Sequence, residues 1–387
     1  MRQLSPLKLS FLIIFLFTIF FYLYGPRGIN LVLFLLNIGL IIYFIYNKIF
    51  FIPFKLYILF LILLSTTIVG YFYNESFSSW QIIRSHIWLP LSIVILLNTK
   101  AIINNDKYSF FDISKICEFI KFYSLGILFL YTVDQIFNLK ISPNIFVFTE
   151  TNIYTRYAYP LIEPILIFIP ILIIKNYKKT VILLLLLSLV TLTKTIIFTG
   201  IFFLFTSAFF LKNNDDNKKF IKQILFFYFI FLIIIFIIDK NIFFSRIENL
   251  LNYNTSTRYD QINEFKNYIN ESSFKIFKLL FGSGLGSAFR SINIYGIDDQ
   301  PLIRALINSQ YDIENGFFGL LFLVGILGFL LYFNIVIGYF KKYKMLIFIF
   351  FVFSFLGTSP FGLGHLFKIF FLGLMINYFI NLNYKND

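Results

Sequence analysis

Charge is what this sequence has least of. Only 13% of its 387 residues are Asp, Glu, Lys or Arg, where a soluble domain carries roughly a quarter. With 59% hydrophobic residues and a mean hydropathy of +0.81, an ordinary water-soluble fold is excluded. Cysteine is nearly missing too. The single Cys117 excludes a disulfide framework. No His, Cys, Asp and Glu cluster has metal-ligand spacing, so no metal and no cofactor are expected, and nothing points to nucleic acid. Short segments of alternating apolar and polar residues are absent, which excludes a transmembrane β-barrel. Internal repeats are absent, and the low-complexity content is limited to NNDDNK, Asn213 to Lys218.

What is present is apolar sequence in runs of spanning length. The segment Leu31 to Asn47 carries no charge at all. A transmembrane helix needs about 20 mostly apolar residues, and such runs recur along nearly the whole chain. The start, Met1 to Tyr24, resembles a signal peptide but lacks a small-residue cleavage site, so it reads as a first membrane helix. The fold class is therefore all-α, a polytopic integral membrane protein of about twelve spans. These lie near residues 9–24, 29–46, 54–73, 85–98, 119–137, 158–174, 180–193, 195–211, 221–238, 315–340, 345–358 and 365–381. Residues 1–238 hold nine spans, 239–314 form one long external loop, and 315–387 hold three more. The 57 phenylalanines read as lipid-facing bulk.

Lysines in short loops mark the cytoplasmic side of a membrane. With the N-terminus inside, Lys48, Lys55, Lys100, Lys107, Lys115, Lys121, Lys175, Lys178 and Lys179 all fall inside. So do Lys212, Lys218, Lys219, Lys222, Lys341, Lys342, Lys344 and the C-terminus. The exceptions are Lys140, Lys194 and the lysines of the long loop. Residues 180–211 admit one over-long helix or two short ones. Two, with Lys194 at the outer turn, keep the later lysine clusters on the same side. The eight arginines behave differently: Arg27, Arg84, Arg156, Arg246, Arg258, Arg290 and Arg304 all fall outside, leaving only Arg2 inside. Arginine suits bidentate binding of phosphate or carboxylate. An external anion-binding surface is therefore weighed against chance scatter in outer loops.

In the long loop, Ile262, Phe265, Tyr268 and Ile269 would share one face of an amphipathic helix capped by Thr257. FGSGLGSAFR, Phe281 to Arg290, follows. Its glycines 282, 284 and 286 permit a turn with exposed N–H groups, a geometry able to hold phosphate. It follows no predicted strand, so a nucleotide-binding loop is not expected, and a simple flexible turn remains the plain alternative. Asp134 lies near the outer end of a span. His86 sits among Trp80, Arg84 and Trp88, where interfacial anchoring is the simpler reading, and His365 follows a short turn.

Five segments, in order, resemble the O-antigen polymerase and ligase family of bacterial envelope glycosyltransferases. They are TRYAYPLIEP (Thr155 to Pro164), LTKT (Leu192 to Thr195), STRYDQINEF (Ser256 to Phe265), FGSGLG (Phe281 to Gly286) and ENGFFGLLFLVGILG (Glu314 to Gly328). They cover Thr149 to Phe340, about half the chain. In the last segment many members carry His-Asn with a glycine ten residues beyond the His. Here Glu314 takes the His position and Asn315 keeps the Asn, while the glycine, Gly325, lies eleven residues beyond Glu314, one position off that spacing.

The resemblance implies a glycosyltransferase of the inner membrane with both termini cytoplasmic. It acts externally on a polyprenyl-pyrophosphate-linked oligosaccharide, polymerising repeat units of an O-antigen or capsule-type polysaccharide. It implies Arg156 and Arg258 as cations for the leaving pyrophosphate and Glu314, then Asp312, as base. Substrate contacts are expected from Gly282, Gly284, Gly286, Arg290, Arg84 and Glu163. Partners would be the bilayer, a chain-length regulator and a flippase. A helix-end carboxylate favoured by the dipole is the plainer reading of Glu314. The competing functions are an O-antigen ligase transferring glycan to a lipid core, and a lipid-linked sugar transporter. Polar groups concentrated at the outer face, with no repeat, favour surface chemistry over passage.

Overall fold

The computed structural model describes residues 5–24, 26–47, 52–73, 82, 86–103, 112–137, 144–148, 153–157, 160–190, 194–210, 215–238, 266–267, 269–270, 275–287, 316–340 and 365–384. Almost all of them are helical. The helices are α1 (Pro6–Tyr24), α2 (Pro26–Tyr46), α3 (Phe54–Tyr73), α4 (Trp88–Ile103) and α5 (Ile113–Phe137). After a hairpin come α6 (Ile162–Leu166), α7 (Ile169–Ile174), α8 (Lys178–Val190), α9 (Lys194–Phe210) and α10 (Asp215–Ile238). The last three are α11 (Lys275–Phe281), α12 (Gly316–Phe340) and α13 (His365–Tyr384).

Among the described residues, four stretches are long and apolar enough to cross a membrane: Pro6–Tyr24, Phe54–Phe72, Ile113–Asp134 and Gly319–Tyr339. Large apolar side chains stand outward along them. Phe15 is 60% exposed, Leu61 64% and Phe129 67%. Water would penalise such continuous apolar faces, whereas hydrocarbon accepts them, so the chain is a membrane-embedded helical protein. Backbone groups in hydrocarbon must be satisfied within the protein, and helices do this within one segment. Polar side chains on these helices follow the same rule by bonding their own backbone. Thr18 Oγ1 donates to Ile14 O at 2.9 Å, and Ser124 Oγ to Ile120 O at 2.7 Å.

The all-α expectation meets one departure. Strands β1 (Asn144–Phe148) and β2 (Ile153–Tyr157) pair antiparallel, with Asn144 opposite Tyr157 and Ile145 opposite Arg156. Both strands are rich in β-branched and aromatic residues, which favour extended backbone. The choice between one and two helices in 180–211 resolves to two, α8 and α9. They pack side by side: a Cβ at Gly200 would lie 3.2 Å from Leu185 and 3.5 Å from Ser188. The expected single span 158–174 is interrupted into α6 and α7. Pro170 has no N–H to give Leu166, so Ile167 and Phe168 donate three residues back, to Pro164 O and Ile165 O. The expected span 345–358 lies outside the described residues. So does most of the expected amphipathic helix. Its described residues 266–267 and 269–270 are helical, with Ile269 buried.

The chain divides into two compact units. Unit 1 comprises residues 1–50, 92–230 and 366–387. Its centre is α6–α7, buried on all sides from Pro164 to Ile173. Phe168 meets Phe371 of α13 edge-on at 5.1 Å. Hydrogen bonds add direction to this packing: Asn377 Nδ2 reaches Thr99 Oγ1 at 2.9 Å, and Ser188 Oγ lies 3.0 Å from the Tyr228 hydroxyl. Unit 2 comprises residues 51–91 and 231–365. In it α3 and α11 pack on α12, and Lys55 Nζ donates to Asn334 Oδ1 at 2.6 Å.

Candidate functional site

Two polar constructions stand out among the described residues, one in each unit. In unit 1 the chain turns into α6 through Leu161, whose φ of 67° is left-handed. A bulky residue rarely adopts that conformation, and such strain tends to gather at functional sites. Tyr123 donates its hydroxyl proton to Pro160 O beside this turn. Two residues on, Glu163 forms an ion pair with Lys368 of α13, Nζ to Oε1 at 2.5 Å. The two side chains are only 14% and 7% exposed. Taking two charges out of water is costly, and close pairing is what makes it tolerable. Glu163 was an expected substrate contact; Lys368 was not singled out. Its signal was available, since a lysine within an apolar helix is a functional candidate by default.

In unit 2 the glycine segment is built into a helix break. Gly282, Gly284 and Gly286 have φ of 85°, 79° and 82°, and Gly325, inside α12, has φ 64°. The break at Gly325 interrupts the helical ladder, and two carbonyls just before it take donors from the loop instead. Ser283 N donates to Phe322 O at 2.7 Å and Gly284 N to Leu323 O at 3.1 Å. Approach is so close that a Cβ on Gly325 would lie 2.4 Å from Gly282 N, and one on Gly282 2.4 Å from Leu323 O. Leu285 N donates to Thr67 Oγ1 at 2.9 Å, and Gly286 N to His86 Nδ1 at 2.8 Å. Gly282 N itself goes to Lys278 O. All five N–H groups from 282 to 286 are therefore donated within the unit. The expectation that they stand exposed to a phosphate is corrected: the glycines serve a seam between loop and broken helix. His86 is fully buried as the acceptor of this seam, not an interfacial anchor. Acceptance at Nδ1 requires the proton on the other ring nitrogen in the neutral form.

Arg156 lies in β2 at the register position opposite Ile145. Glu314, Asp312, Arg258, Arg290 and Arg84 lie outside the described residues. Asp134 is buried near the end of α5. Among the described residues no group of three or more His, Cys, Asp or Glu has the geometry to hold a metal ion.

Compared with known proteins, the chain matches no family model, no curated protein and no solved structure. The class the fold defines is a helical membrane protein.

Proposed function

We propose that the chain is a polytopic enzyme of a bacterial cytoplasmic membrane that polymerises oligosaccharide repeat units carried on polyprenyl pyrophosphate. The observation that carries this reading is the order of the five segments from Thr155 to Gly328. An arginine-bearing loop, a polar break, a second arginine segment, a glycine turn and an Glu-Asn entry to an apolar helix follow in sequence. A membrane-embedded fold supports it, because the donor's lipid tail confines the reaction to the bilayer surface. The reading takes twelve spans, both termini in the cytoplasm and residues 239–314 outside.

In this reaction an acceptor sugar hydroxyl attacks the anomeric carbon of the donor glycan. The new glycosidic bond forms as the bond to pyrophosphate breaks. The acceptor proton passes to Glu314, and the pyrophosphate departs on its lipid. Arg258 and Arg156 are the cations assigned to the charge that develops on the leaving pyrophosphate, each worth about 3 kcal/mol by analogy with a single oxyanion donor. Arg84, Arg290 and Glu163 are assigned to substrate contact by the same resemblance. The three glycines enter as the seam that holds α12, which begins two residues after Glu314. The test uses the purified chain in liposomes with a lipid-linked repeat unit. Wild type should yield a ladder of lengthened glycans. Glu314→Gln keeps size but loses basicity and should stay folded and give no ladder. A robust ladder from it would remove Glu314 and leave Asp312 as the candidate base.

A second reading, a transporter of lipid-linked sugar, is favoured by one observation. The interrupted helices α6–α7 and α12, with an ion pair among apolar helices, are features of transport folds. The first interruption has a local cause in Pro170, and the sequence carries no repeat. In the same liposomes a transporter would move the donor across the bilayer without lengthening it.

A further inference from the structure

Unit 1 contains a groove of about 410 Å³ that the proposed chemistry does not use. That volume falls within the usual range of small-ligand pockets, roughly 300–1,000 Å³. Its walls are apolar, with Ile13 of α1, Leu40 of α2, Phe119 of α5 and Phe370 of α13 among them. Among the described residues, Lys115 is the only charged one lining it. At Gly39, also on the wall, a Cβ would meet nothing within 4 Å, so the groove is open beside α2. The helix ends around it, near Pro6, Tyr43 and Lys115, stand beside Lys8, Lys48 and Lys115 in the sequence. Under the positive-inside rule these three ends are cytoplasmic, whereas Leu161 and Phe367, which also line the groove, begin spans that the same rule enters from outside, so the Lys115 rim is the cytoplasmic mouth of a groove that reaches deeper. Asp112 and Glu118, one turn to either side of Lys115, are exposed and do not line the groove.

We propose that this groove binds the acyl chain of one anionic phospholipid from the cytoplasmic leaflet, with Lys115 against the headgroup phosphate. Apolar walls take the hydrocarbon, and a single rim cation selects the sign of the headgroup. Anionic lipids of that leaflet attract lysines near the membrane surface. The inference uses the proposed orientation but not the proposed glycosyl transfer.

Native mass spectrometry of the full-length protein tests it, in micelles with equal phosphatidylglycerol and phosphatidylcholine. Wild type should retain one phosphatidylglycerol, preferred about fivefold, the effect of one lysine near the phosphate. Gly39→Phe should reduce retention of either lipid about tenfold by filling the open space, while Gly39→Ala should retain lipid. Lys115→Gln should keep a lipid bound and bring the preference near one. Retention unchanged in a folded Gly39→Phe, or equal retention of both lipids by wild type, would overturn the proposal. Should Gly39→Phe fail to fold, the Lys115→Gln arm decides: an undiminished preference there would equally overturn it.

Discussion

Lys368 and Glu163 meet at 2.5 Å although 205 residues apart, one in α13 and the other in α6. Removing one partner strands the other as a buried charge, which costs about 3–5 kcal/mol, whereas an apolar pair of similar volume is often neutral. Glu163→Met or Lys368→Met alone should therefore sharply lower the thermal midpoint in detergent. The double Met variant should recover most of the loss. If Glu163 also contacts substrate, as proposed, that double variant should be folded yet form no polymer. A double variant as unstable as both singles combined would show that the two charges do not stabilise each other. Half of this pair was legible in the sequence. A lysine three residues into an apolar run is visible there, but its partner is set by tertiary packing of α13 on α6, which no local pattern encodes.

Hydropathy pointed to most of the described helices, though not to their exact bounds, because length and apolarity are all that spanning demands. Interruptions were less legible. Pro170 in principle announces the α6–α7 break, since a missing N–H is a local property. The break at Gly325 depends instead on donors from a loop some forty residues earlier. The glycine pattern at 282–286 was visible, but it reads equally as an open cradle or a packed seam until the acceptors are known. The β1–β2 hairpin was passed over because its apolar strands blend into a chain that is apolar throughout. The seam carries its own test. Gly325→Ala places a Cβ on backbone at a left-handed φ and should destabilise the protein by more than about 2 kcal/mol. His86→Ala leaves the buried Gly286 N–H without its acceptor, a loss of about 1–3 kcal/mol. His86→Asn offers Oδ1 as a replacement acceptor and should recover part of it. Wild-type thermal stability in Gly325→Ala would contradict the seam.

For the molecule as a whole, outward phenylalanines and leucines along the long helices make hydrocarbon its solvent. The proposed direction in the bilayer rests on the lysine distribution. Cys117 is fully buried, so its replacement by Ser should leave a clean background for single-cysteine labelling. On intact cells an impermeant reagent should label Ser272→Cys, and label Asn214→Cys only after permeabilisation. The reverse pattern would invert the map and place the proposed catalytic groups on the wrong side for external polymerisation. The proposed function rests only on the order of motifs, because Glu314 and Arg258 gain meaning from a substrate that composition does not specify. The most direct measurement is therefore the glycan profile of a strain lacking this protein. Loss of polymerisation should leave single repeat units on the lipid carrier or its acceptor. Full-length polymer persisting in that strain, whether stranded on the carrier or transferred onward, would contradict a polymerase.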